Sequence, residues 1–267
     1  MKTLEVCIEG IGFWAPGYPD WPSARAGLRG EAQADPAAPA KPSPGLLAAA
    51  ERRRAPQPVL LACDIAAQAC VASGHAPDGL ASVFASTHGD LVITDYMCET
   101  LASAPRELSP IRFHNSVHNA PAGYWTIAAH CHAASTSVSS WHASFATALF
   151  EAAVEAVAEG KPVLMAAYDT ESKGPLLAVS PATSIFGVAF VIAPAGDKPP
   201  TLRLSLDSAT AEIGSADALP ADFAAMATSN PMATGALPLL LALARGGQAR
   251  LRLGAGQHSA LALEICA

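Results

Sequence analysis

Residues 135–168 constrain the fold more tightly than any other part of the chain. Between His142 and Glu159, Ala146, Leu149, Phe150, Ala153 and Val157 recur at helical spacing, while Glu151, Glu155 and Glu159 lie four apart on a solvated edge. Gly160 supplies the C-terminal stop, and Pro162 prevents the helix from continuing. Small and β-branched residues from Ser135 to Ser139 predict a strand before this helix, and Pro162 to Tyr168 predicts another after it. A helix between two short buried strands belongs to a layered α/β architecture.

The rest of the chain repeats that alternation. Strands are expected over Thr3–Phe13, Ala81–Ser86, Phe186–Ala193 and Leu202–Leu206, with a closing pair over Gln248–Leu253 and Ala260–Ile265. Helices are expected over Leu46–Arg54, Val59–Ser73, Ala120–Ala129 and Ala233–Ala244, and Gly89 and Asp90 open another that reaches about Ser103. Proline, glycine and alanine accumulate without periodicity from Ala15 to Pro44, so that segment reads as a long surface loop.

Composition removes several functions. A net charge of -7, with Arg52, Arg53 and Arg54 as the one compact basic run, argues against nucleic acid, whose phosphates need concentrated Lys and Arg. Cysteines at 7, 63, 70, 98, 131 and 266 have no CxxC spacing and sit mostly among apolar neighbours, as reduced core residues in the cytoplasm do. Glu5 and Glu9 interrupt the N-terminus where a signal peptide needs an apolar run, and Pro231 to Ala244 is too short to span a bilayer.

Three segments together carry a resemblance. AAERRRAPQPVLLACDIAAQACVASG follows the opening strand, HNSVHNAPAGYWTIA precedes the 135–139 strand, and STSVSSWHASFATALFEAAVEAVAEG holds the strand, turn and long helix. In this order they resemble the β-ketoacyl synthase family, with coverage reaching about Pro194. The resemblance implies an abbreviated thiolase-like fold with αβαβα layers. It also implies one domain over 1–267, in which 1–194 match the family's N-terminal half and 195–267 form a shortened C-terminal half.

In that family a strand delivers a nucleophilic cysteine to the N-terminus of the central helix. The matching position here is His142, followed by Ala143 and Ser144. Nothing resembles the family's HGTGT-type motif, and Asn230 and Pro231 stand near its other catalytic histidine. The resemblance therefore implies a silent, chain-length-factor-like subunit with no catalytic residue, metal or cofactor. Its partners would be a full-length ketosynthase in a heterodimer and an acyl carrier protein bearing the acyl chain, in polyketide, aryl-polyene or fatty-acid-type elongation. Asn115, His118, Asn119, Pro121, Ser137, Ser139, Ser140 and Ser144 are assigned to the tunnel or subunit boundary.

Rival readings rest on the same residues. A divergent acyltransferase or ketosynthase would use Cys131 or His142, and a third reading is an acyl-carrier-protein docking module. A zinc site would need His114, His118, His130, His132 or His142 to converge. No GxSxG elbow supports a serine hydrolase, and Gly10 and Gly12 lack the third glycine of a nucleotide loop.

Overall fold

The computed structural model describes residues 3–208 and 219–266. In chain order the elements are β1 (Leu4–Trp14), α1 (Trp21–Leu28), α2 (Ala49–Arg54), α3 (Gln57–Ser73), β2 (Ala81–Ala85), α4 (Leu91–Ser103), α5 (Pro110–Asn115) and α6 (Ala120–Ala128). There follow β3 (Ser135–Val138), α7 (Ser144–Glu159), β4 (Val163–Asp169), β5 (Phe186–Pro194) and β6 (Leu202–Asp207). The chain closes with α8 (Ala221–Ser229), α9 (Pro231–Arg245), β7 (Ala249–Gly256) and β8 (Ser259–Ile265).

The strands form one eight-stranded sheet in the order β3-β2-β4-β5-β1-β6-β8-β7. β2 runs parallel to β3 and β4, and every other pairing is antiparallel. β4 is buried throughout and β5 in all but its last residue, because helices cover both faces at the centre of the sheet. Leu164, Ala166 and Tyr168 of β4 face a core shared with α3 and α6, while Val163, Met165 and Ala167 face a second core shared with α7 and α9. The strand's side-chain period of two sorts them.

Two glycines set how closely α3 lies on the sheet. A Cβ at Gly12 would stand 1.9 Å from the Ile65 carbonyl oxygen, and one at Gly10 would stand 2.2 Å from that of Ala69. Main chain therefore packs on main chain at these positions. Gly187 on neighbouring β5 extends the strip, its missing Cβ lying 2.9 Å from Leu61 Cδ1. These glycines are helix-packing positions.

The long helix α7 keeps its expected stop, with Gly160 left-handed at φ 65°. Its buried stripe is narrower and smaller than the sequence suggests. Ala148, Ala152 and Ala156 are buried beside Phe145, Leu149 and Ala153, whereas Val157 is 40% exposed and Phe150 only partly covered. Alanines let the helix approach the sheet closely.

The expected loop from Ala15 to Pro44 is corrected by α1. Asp20 accepts the Ser23 N–H at 2.9 Å, Pro22 lies in the first turn, and Ala24, Gly27 and Leu28 are buried. Its eight residues are too few for a readable period, and packing on α9 and against Tyr18 and Phe223 holds it. The short helices α5 and α8 were likewise not expected. All six cysteines are free, and Cys7, Cys63, Cys70 and Cys131 are buried.

Asp64, on α3, is a partly buried carboxyl whose pKa burial pushes up to about 6 against a hydrogen bond from Gln68. The folded state holds this proton more tightly than the unfolded chain. Its contribution is therefore full below about pH 4 and is lost as pH rises through about 6. Asp64→Asn should thus gain on wild type between pH 4 and 7, by up to about 2 kcal/mol after allowance for solvent screening. Urea midpoints at the two pH values check this; an equal difference at both would contradict it.

Candidate functional site

The site is built where β2, β3 and β4 end side by side. Asp169, the last residue of β4, is buried, and its carboxylate accepts hydrogen bonds from Ser86 Oγ at 2.8 Å, from the Thr87 N–H at 2.9 Å and from Thr87 Oγ1. Burial raises its pKa despite the hydrogen bonds from Thr87 and Ser86, which favour the carboxylate. Its backbone carbonyl accepts a bond from Asn230 Nδ2 at 3.3 Å, and the same amide reaches the Ser184 carbonyl at 2.8 Å. Asn230 Oδ1 accepts the N–H groups of Met232 and Ala233, capping α9. The residue near the expected place of a catalytic histidine is thus a buried cap that ties α9 to the end of β4.

From β3 the chain enters the central helix through a clamp of serines. Ser139 Oγ donates to the Thr87 carbonyl at 2.7 Å, joining the ends of β3 and β2. Ser144 Oγ accepts the Ser140 N–H at 2.9 Å and donates to the Trp141 carbonyl at 2.7 Å. Between these anchors Trp141 takes φ 50°, a left-handed backbone that costs a bulky residue about 1–3 kcal/mol. A short 3-10 turn over Trp141–Ala143 then leads into α7. Motif spacing puts His142 at the turn, but the strained residue is Trp141, one position earlier.

The Trp141 indole is flanked by imidazoles. His88 meets it at 4.7 Å between ring centroids and His142 at 5.2 Å, both nearly perpendicular. His88 Nε2 is buried without a hydrogen-bond partner. Burial, followed by the nearby His142 and His118, holds the His88 pKa below its ordinary value, so the ring is neutral at pH 7. His118 Nε2 lies 3.1 Å from the Ser86 carbonyl, which fixes that nitrogen as the donor.

An open cleft of about 1870 Å³ begins at this turn and runs between α7, α9 and the strands β6, β8 and β7. Ser140, Trp141, His142 and Ala146 line it on one side, and Gly235 and Pro238 of α9 on another. Arg203, Arg250 and Arg252 edge its sheet side. Their charges are matched: Arg203 pairs with Glu5 at 2.8 Å and with Glu264 at 3.5 Å, Arg250 with Glu264 at 3.3 Å, and Arg252 with Asp207 at 2.7 Å.

The structure does not bring all the sequence-predicted residues together. His142 and Ser140 reach the cleft, while Ser137 and Ser139 belong to β3 and its end, at the sheet edge. Ser144 is the buried clamp, and Asn115 is buried with Oδ1 accepting the Tyr124 hydroxyl at 3.2 Å. Pro121 is buried in the first turn of α6, and Asn119 is exposed at its start. Cys131 is buried, its thiol 3.3 Å from the Leu80 carbonyl, and it does not line the cleft. His114, His130 and His132 are exposed, and among the described residues no three His, Cys, Asp or Glu side chains converge as metal ligands do. Sequence reasoning missed His88, Trp141 and Asp169 as members of the site. The polar run Ser86-Thr87-His88 at a strand end was the available signal.

The family model for the β-ketoacyl synthase N-terminal domain matches residues 28–218. The chain belongs to the β-ketoacyl synthase family. Its fold is that of solved ketosynthase assemblies. One is the ketosynthase ApeO in complex with its chain length factor ApeC from Xenorhabdus doucetiae, with a TM-score of 0.72, 24% identity, and coverage of 97% of this chain and 99% of that one. The complex AntDE:AntF, a type II polyketide synthase acyl-carrier protein with its ketosynthase bound to the hexaketide, gives 0.70 at 14% identity and covers 100% of both chains. The ishigamide ketosynthase/chain length factor gives 0.68 at 15% identity, covering 98% of this chain and 100% of that one. No curated protein matches the sequence. The fold is thus the α/β thiolase-like arrangement, with one eight-stranded sheet flanked by helices. No helix among the described residues is long and apolar enough to cross a membrane.

Proposed function

We propose that this chain is a non-catalytic, chain-length-factor-like subunit that pairs with a full-length ketosynthase and shapes the path of the growing acyl chain. The observation that carries this reading is the turn into α7. Where the family presents a thiolate, Trp141 and His142 stand instead, and no cysteine lines the cleft beside them. An imidazole there can accept a hydrogen bond but cannot hold an acyl group as a stable thioester. Three solved assemblies of like fold are, by description, ketosynthases with a chain length factor or an acyl-carrier protein, which supports the same partners for this chain.

Pairing would use β3, which lies at one edge of the sheet with Ser135 and Thr136 exposed. The turn over 115–121 beside it would complete the boundary. The elongation would be of polyketide, aryl-polyene or fatty-acid type, on intermediates carried by an acyl carrier protein.

Co-purification with a co-expressed full-length ketosynthase tests the pairing. Wild type should be retained with it, and Thr136→Lys, which puts a charge on the exposed edge, should be lost from the complex while still folding. A stable monomer that ignores the ketosynthase would overturn the proposal. Intact-mass spectrometry after incubation with acyl-loaded carrier protein should find no adduct on this chain. An acyl group on Cys131 or His142 would instead identify a divergent acyltransferase.

A further inference from the structure

We propose that His88 makes the turn before α7 an acid-sensitive latch: charging its imidazole frees Trp141 from the left-handed backbone. The turn is held by its contacts and not by its own preference. Trp141 is strained at φ 50°, and it keeps that conformation while Ser144 Oγ accepts the Ser140 N–H and bonds the Trp141 carbonyl, with His88 packed against the indole at 4.7 Å between centroids. Strain of this kind is released when one of those contacts weakens. Ser140, Trp141 and His142 line the cleft, so an opened turn changes that wall.

The surroundings of His88 suit a neutral ring. The residue is half-buried, close enough to solvent to take up a proton, yet its Nε2 is buried with no acceptor among the described residues. The turn before α7 brings Trp141 and His142 to it, and the segment before α6 brings His118, whose Cδ2 would lie 3.5 Å from a Cβ at Gly89. The carboxyls of this region are engaged elsewhere: Asp90 caps α4 through the Ile93 N–H, and Asp169 holds Ser86 and Thr87. A charge on His88 would therefore be buried without a hydrogen-bond acceptor and would face two further imidazoles. Burial, followed by His142 and His118, lowers its pKa, so the closed turn binds this proton more weakly than an open one does. Acid accordingly favours the open turn.

The test follows amide hydrogen exchange in the full-length chain between about pH 7.5 and about pH 5, with rates corrected for the intrinsic effect of pH. The reporters are the Ser140 N–H, bonded to Ser144 Oγ, and the Ala143 N–H, bonded to the Ser140 carbonyl. Their protection should fall about tenfold on acidification, with a midpoint below pH 6.5, while the amides of α7 keep theirs. His88→Phe keeps an aromatic ring against the indole and cannot be charged, so protection should persist across the range. His142→Gln removes one of the imidazoles that oppose the charge and should shrink the loss. Wild type that stays protected at the acid end, or an undiminished loss in His88→Phe, would overturn the latch. If His88→Phe does not fold, His142→Gln decides, and a loss equal to that of wild type overturns the proposal.

Discussion

Gly12→Ala should lower stability by about 3 kcal/mol or more, and the thermal midpoint by roughly 10 °C. The added carbon would meet the Ile65 carbonyl oxygen at 1.9 Å and the Ala69 nitrogen at 2.9 Å, both main-chain atoms of α3. No side-chain rotation relieves such a contact, so the helix must lift from β1 and β5 and open the core containing Trp14, Leu61 and Ile65. Gly45→Ala is the matched control, because no atom lies within 4 Å of its added carbon and its backbone is not left-handed. Circular dichroism melts of the two variants decide the matter: if Gly12→Ala melts with wild type, α3 does not sit directly on the strand.

Asp169→Ala should cost about 3 kcal/mol, because Ser86 Oγ, the Thr87 N–H and Thr87 Oγ1 are left as buried donors without their acceptor. The effect should spread to the turn before α7, since Ser139 holds the Thr87 carbonyl. Burial raises the Asp169 pKa, so the folded state binds its proton more tightly than the unfolded chain does. Protonation of Asp169 therefore favours the native state, fully so at acid pH, and this contribution declines as pH rises through the raised value. The deficit of Asp169→Ala relative to wild type should accordingly narrow from acid towards neutral pH, as measured by denaturant unfolding. A deficit that widens would show that hydrogen bonds to the carboxylate outweigh burial.

Those parts of the fold that rest on local chemistry were legible in the sequence. Gly160 and Pro162 end α7 where expected, Asp90 caps α4 through the Ile93 N–H, and Gly74 closes α3 in the left-handed conformation. Apolar runs in β4 and β5 marked strands covered on both faces. The sequence did not show α1, whose eight residues take their stability from an aspartate cap and from α9, far along the chain. It placed the turn at His142 because Ala143 and Ser144 follow the family's pattern, whereas the left-handed backbone falls on Trp141. His88 and Asp169 were invisible as a pair because their neighbourhood joins strand ends some eighty residues apart, and no local period records that.

The two edges of the sheet are unlike. β3 is four residues long and carries small hydroxyl side chains, whereas β7 presents Arg250 and Arg252, held in ion pairs with Glu264 and Asp207. Adding a strand to β7 would bury those cations or break their pairs, so that edge resists extension. A second chain joined at β3, as proposed above, would therefore leave β7 as the remaining edge of the described sheet, and that edge does not invite a third. Strand addition ends at a finite stoichiometry instead of running on into a fibre.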